Sequence, residues 1–215
     1  ARTTFTYLSV AMLGNDEDRK NFRKAVNGQH AQVRSDENSP VTYNALNPDL
    51  QLWVAACLYY GTLDLFERMH GPITDEAEAD RFYAYCARFG TTLQVRDDMW
   101  PKDRKAFAEY WEYGVSRANI DDRMRRYLDA LTRMENLPKA VQKIGAERSL
   151  FYTKGFLPPV FREQMGFSWS DAEEELFTRR VQRLGRIDDR LPTSLKILPF
   201  TTLLWDMRRR QRTGS

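Results

Sequence analysis

An all-α fold follows from three observations. Apolar residues recur at three- and four-residue spacing along most of the chain, helix-start and helix-stop residues punctuate it at short intervals, and no stretch alternates apolar and polar side chains as a half-buried strand does. The 215 residues, 42% of them apolar and 13% aromatic, are enough for a substantial core without disulfide staples. Neither an internal repeat nor a Gly/Ser linker divides them, so the expectation is one globular domain over 1–215 built from about nine or ten helices.

The elements follow in order. Phe5 to Leu13 is an apolar segment stopped by Gly14 and Asn15. Asp16 opens a charged, amphipathic helix that should continue through His30 to about Val33, because Phe22, Val26, His30 and Val33 fall on one face. A polar turn, Ser35 to Pro40, follows. Asn47 and Pro48 then supply an N-cap and a first-turn proline for a helix carrying Leu50, Trp53, Val54, Cys57, Leu58 and Leu65. Apolar on more than one side, it reads as a central element.

Gly71 and Pro72 end that helix, and Thr74 with the acidic Asp75 and Glu76 opens the next, bearing Phe82, Tyr85, Cys86, Phe89 and Leu93. Pro101 starts the segment with Phe107, Tyr110 and Trp111; Ile120 to Met134 and Pro138 to Lys154 give two more helical patterns. After Pro158 and Pro159 a short helix stops at Gly166, and Ser170 with Glu173 three positions on forms a capping box for a long one. A last helix starts near Pro192 and ends in the arginine-rich run Met207 to Arg212.

Charge excludes some partners. Lysine plus arginine number 33 and aspartate plus glutamate 30, so the balance does not call for nucleic acid. No run approaches the roughly 20 apolar residues of a transmembrane helix, so no integral membrane segment is expected. Cys57 and Cys86 are the only cysteines and form no CxxC pair, which predicts reduced, buried thiols and a cytoplasmic setting. There is no P-loop, no GxGxxG fingerprint and no nucleophile elbow. The adjacent acidic pairs Asp97–Asp98, Asp121–Asp122 and Asp188–Asp189 read as solvated charge, and the terminal arginines as cations that complement a helix dipole.

Two histidines remain. His70 precedes a Gly-Pro turn at a helix end, where it suits the last carbonyls. His30 stands where a core side chain belongs. Its nitrogens need a hydrogen-bond partner or a metal, since leaving them unsatisfied costs on the order of 1–3 kcal/mol. Tyr43, Trp53, Tyr59 and Tyr60 make an aromatic group suited to a core or to an apolar binding wall.

Four blocks in this order, HAQV at His30, YNALNPDLQLWVAACLYYGTLDLFERMHGPIT from Tyr43, FLPPVFREQMGFSWS from Phe156 and LPTSLKILP from Leu191, resemble the catalytic domain shared by the MpaB-type oxygenases and the latex-clearing rubber oxygenases. The resemblance implies a globin-reminiscent helical fold, a b-type haem with His30 as axial ligand of its iron, and oxidation of an apolar small molecule of lipid or isoprenoid kind. Beside His30, the positions Val26 and Asn27, with Trp53, are expected to border the haem. Asn27 stands where the rubber oxygenase has arginine, and Thr3 where it has its distal lysine. Arg2 and Thr4 are therefore the candidates for a catalytic group on the open side. The family's upstream helices have no counterpart before Ala1. These departures keep a second expectation open: a non-catalytic helical binding module that kept the scaffold without haem.

Overall fold

The computed structural model describes residues 2–35, 37 and 43–213, with side chains from residue 4 onward, so most of the turn expected at 35–40 lies outside the described residues. The chain is all-α. Its helices are α1 (Arg2–Leu13), α2 (Asp16–His30), α3 (Pro48–His70), α4 (Glu76–Cys86), α5 (Arg88–Thr91), α6 (Arg104–Arg117), α7 (Asp122–Thr132), α8 (Lys139–Phe156), α9 (Pro159–Gln164), α10 (Asp171–Arg190) and α11 (Thr193–Thr213), with a 3-10 turn at Asp97–Met99. The β-structure among the described residues is one isolated antiparallel bridge, Arg34 to Asn44. Two compact units form, one from Ala1–Thr62, Ile73–Glu112 and Asp188–Ser215, the other from Leu63–Pro72 and Tyr113–Ile187.

In the first unit α1 packs mainly on α11 and also meets α2 and α5. Val10, Phe22, Leu204 and Met207 form the buried cluster, with Tyr7 and Val26 packed against it. Asn15 starts α2 through a reciprocal capping box: its side chain accepts from the Asp18 N–H, and the Asp18 carboxylate accepts from the Asn15 N–H. Arg23 donates to the carbonyls of Thr91 and Thr92, satisfying the C-terminal end of α5. A second core is aromatic. Tyr59 meets Phe107 edge-on at 4.7 Å and Tyr83 at 5.1 Å, the T-shaped arrangement that ring quadrupoles favour. The Tyr83 hydroxyl donates to the Pro101 carbonyl at 2.6 Å, and burial raises its pKa.

In the second unit Phe177 is fully buried. It meets Phe156 at 4.9 Å, Trp169 at 6.0 Å and Phe151 and Tyr152 at 6.2 Å. Gln164 joins two segments, accepting from the Ile120 N–H and donating to the Ala118 carbonyl, while Arg125 donates to the Gln164 carbonyl. Gly166, at φ +68°, ends α9, and the Ser170–Glu173 box opens α10 as expected. At Gly185 of α10, an added Cβ would lie 2.1 Å from the Met69 carbonyl oxygen. In an exposed helix Gly→Ala gains up to about 1 kcal/mol. Here the rigid backbone reverses the sign: Gly185→Ala should destabilise by roughly 1–3 kcal/mol, read as a fall in the urea midpoint at unchanged m-value.

Several expected details change. Helix α2 ends at His30, and Val33 lies beyond it, 49% exposed beside the Arg34–Asn44 bridge. Asp75 rather than Thr74 caps α4, and Asp103 rather than Pro101 precedes α6, accepting from the Ala106 N–H. Cys86 is buried, and desolvation pushes its thiol up to about 12. Cys57, expected to be buried, is exposed, because Val54, Cys57 and Gly61 form an outward stripe of α3 while Ala55, Ala56 and Tyr59 face inward.

Candidate functional site

Val26, Asn27 and His30 occupy the last turns of α2. Capped at one end by Asn15, the helix closes at the other through the Ala31 N–H, which donates to the Asn27 carbonyl at 2.9 Å. The chain then turns back: the N–H groups of Ala45 and Ser35 donate to the carbonyls of Val33 and Tyr43, leading into α3. His30 is thus the hinge between α2 and this return. Its ring is half-buried, and Nδ1 is shut off from solvent without a hydrogen-bond partner among the described residues.

Asn27, one turn earlier, is held from outside its helix. Its Oδ1 accepts from Gln94 Nε2 at 2.6 Å; the Gln94 N–H donates to Gln51 Oε1 at 2.8 Å, and Gln51 Nε2 donates to the Ala45 carbonyl at 2.8 Å. This relay ties the His30 turn to α3 and to the return segment. Gln51, 7% exposed, and Gln94 were missing from the sequence reading; a glutamine on the buried face of α3 was the available signal.

The other candidates divide. Val26 packs toward the α1–α2–α11 cluster, so one flank of the site is protein core. Trp53 is half-buried and stacks on Trp111 at 5.2 Å and 24°, with Tyr110 at 6.3 Å; Tyr60 lies flat on Trp111 at 4.1 Å and 4°. Trp53, Tyr60 and Trp111 therefore make a continuous aromatic wall along α3 and α6, while Tyr43 is exposed and Tyr59 belongs to the aromatic core. Thr4 is exposed on α1, and the Arg2 side chain lies outside the described residues. Tyr7 meets Phe22 at 5.9 Å, which holds α1 against α2.

His70 is exposed at the end of α3 with its ring 5.0 Å from Phe66. The terminal arginines are more specific than a dipole effect requires: Arg208 pairs with Asp18, Arg210 with Asp206, and Arg209 lies over Trp205. Among the acidic pairs, Asp98 binds Arg96, Asp121 caps α7 and Asp188 binds Lys196.

For a porphyrin iron the donor set supplies one imidazole. Iron accepts this ligand type, a helix-end position gives the ring a defined direction, and since Nδ1 is sealed the nitrogen that would hold the metal is Nε2.

The family model described as "ER-bound oxygenase mpaB/B'/Rubber oxygenase, catalytic domain" matches residues 1–187. The chain belongs to this family. As a member of the mpaB/rubber oxygenase family it carries an oxygenase catalytic domain, and the match spans α1 to nearly the whole of α10. Two curated relatives, an uncharacterized protein of Mycobacterium tuberculosis and one of Mycobacterium bovis, are each 44% identical over 214 residues, covering 100% of this chain and 84% of their own length. No solved structure matches the chain. Among the described residues, no helix is long and apolar enough to cross a membrane.

Proposed function

We propose that this member of the oxygenase family is haem-dependent, that His30 holds the iron, and that the substrate is an apolar molecule of lipid or isoprenoid kind. The observation that carries the reading is His30 Nδ1, buried and without a hydrogen-bond partner among the described residues, in a chain whose family is an oxygenase catalytic domain. With Nδ1 closed off by protein, Nε2 is the nitrogen through which His30 would hold iron.

When bound, a b-type haem supplies the oxygen activation and electron transfer that no side chain here provides. The chain's part is to hold, orient and exclude. His30 would hold the iron, and the Asn27–Gln94–Gln51 relay would keep its turn from shifting. Trp53, stacked on Trp111 with Tyr60 alongside, offers an apolar wall along which a hydrocarbon chain can lie without losing hydrogen bonds. Thr4, exposed on α1, would offer its hydroxyl to a polar group of the substrate.

The test is spectroscopic. Protein expressed with ample haem precursor is expected to purify with a Soret band and about one haem per chain, and His30→Ala to lose that band while its far-UV circular dichroism is retained. Colourless wild-type protein under those conditions, or an unchanged Soret band in His30→Ala, would sink the reading; the first result would leave a helical binding module.

A further inference from the structure

In the second unit, α8 and α10 close on each other where Gly155 meets the Phe177 ring; a Cβ at Gly155 would lie 2.3 Å from Phe177 Cδ2. Lys154 pairs with Glu173 at 2.6 Å beside this point. Moving away from it, residue numbers fall on α8 as they rise on α10, so the helices run antiparallel: Phe151 lies under the Arg180 guanidinium at 4.9 Å, and Arg148 faces the turn of Arg183, Leu184 and Ile187 across a groove of about 770 Å3. That volume falls in the range of roughly 300–1,000 Å3 common for small-molecule sites.

The lining has two chemistries. Phe151, Leu184 and Ile187 supply an apolar floor, and the two aliphatic residues are 49% and 46% exposed, so they face the groove uncovered. Arg148, Arg180 and Arg183 border it, and among the described residues none of the three has a carboxylate partner; Arg148 and Arg180 are held only over the rings of Tyr152 and Phe151. Glu147 is the single acid present. Three guanidiniums left without counter-charge beside an uncovered aliphatic floor suit a ligand with both an anionic head and a hydrocarbon tail.

We propose that the α8–α10 groove binds a single long-chain carboxylate, its head on Arg180, Arg183 and Arg148 and its tail along Phe151, Leu184 and Ile187. An open groove between two helices takes one chain lying along it, whereas a bilayer surface calls for apolar side chains on a projecting face. The site lies wholly within the second unit and does not depend on the haem reading.

The fluorescent fatty acid cis-parinarate, titrated into the full chain, tests it. Saturable binding is expected, displaced by palmitate, weakened by salt and little affected by methyl palmitate. Arg180→Ala and Arg183→Ala should each weaken binding about tenfold, as loss of a charge-assisted hydrogen bond does. Leu184→Glu, which sets a carboxylate in the tail's path, should weaken it at least as much. All three side chains are exposed, so the circular dichroism spectra should match wild type. Absence of saturable binding, binding that survives the three substitutions, equal displacement by the methyl ester, or adsorption to phosphatidylglycerol vesicles in place of fatty-acid binding overturns the proposal.

Discussion

Phe177→Ala is expected to destabilise the protein by about 3–5 kcal/mol. The ring is fully buried, four aromatic side chains surround it within 6.2 Å, and the Arg68 guanidinium lies 5.3 Å from its centroid. Removing it loses the transfer energy of the ring and leaves a cavity that its neighbours cannot fill, since Phe156 and Tyr152 sit on α8 and Trp169 precedes α10. The Gly155 contact adds to this: α8 comes close because it has no Cβ there, and the ring occupies the space so made. Urea unfolding monitored by tryptophan fluorescence should show the loss, with Phe177→Leu intermediate. A cost under about 1 kcal/mol would mean that the cavity collapses.

Asp18→Ala is expected to cost about 2–4 kcal/mol, for two reasons that act together. Asp18 is 5% exposed, and its carboxylate accepts from Arg208 Nε at 2.9 Å and Nη2 at 2.6 Å while also accepting from the Asn15 N–H at 2.9 Å. The Arg208 side chain is 41% exposed, so water screens the pair and the upper end of that range is an overestimate for the ionic part alone. The hydrogen bonds from Arg208 hold the Asp18 carboxyl below its ordinary value, burial opposes this, and the Asn15 N–H assists. Because the native pKa is depressed, the contribution is present in full above the unfolded value of about 4 and is lost as pH falls through the native one. Denaturant midpoints of wild type and Asp18→Ala should therefore differ most near neutral pH and converge in acid. Asp18→Asn, which keeps a cap acceptor, should recover part of the difference at neutral pH.

Local signals in the sequence carried much of the fold. Asn47 with Pro48, the Ser170–Glu173 box and Gly166 mark boundaries that the structure places within a residue or two, because each acts through neighbours three or four positions away. The four-residue α5 and the turn at Asp97–Met99 left no readable period, being too short for one. Cys57 misled for a different reason. Its helix is apolar on several sides, and periodicity does not say which side stays uncovered.

His30 stood out by its spacing as an inward histidine and became a ligand candidate through the family resemblance, whereas the relay that positions its turn left no signal. Asn27 meets Gln94 across 67 residues, and Gln94 meets Gln51 across 43. Pairings at that range leave no mark on a single chain. That Nδ1 has no partner among the described residues likewise depends on the folded neighbours.

The contact between Asp18 and Arg208 joins residues 190 apart, and α11, which brings the arginine, lies beyond residue 187, where the family match ends. Closing a contact over so long a span is slow, because the chain entropy of the intervening loop is lost before the contact rewards it. The α1–α2 hairpin, closed across the Asn15 turn, is therefore expected to form before α11 docks on it, and the apolar face of α1 is covered only in the later step.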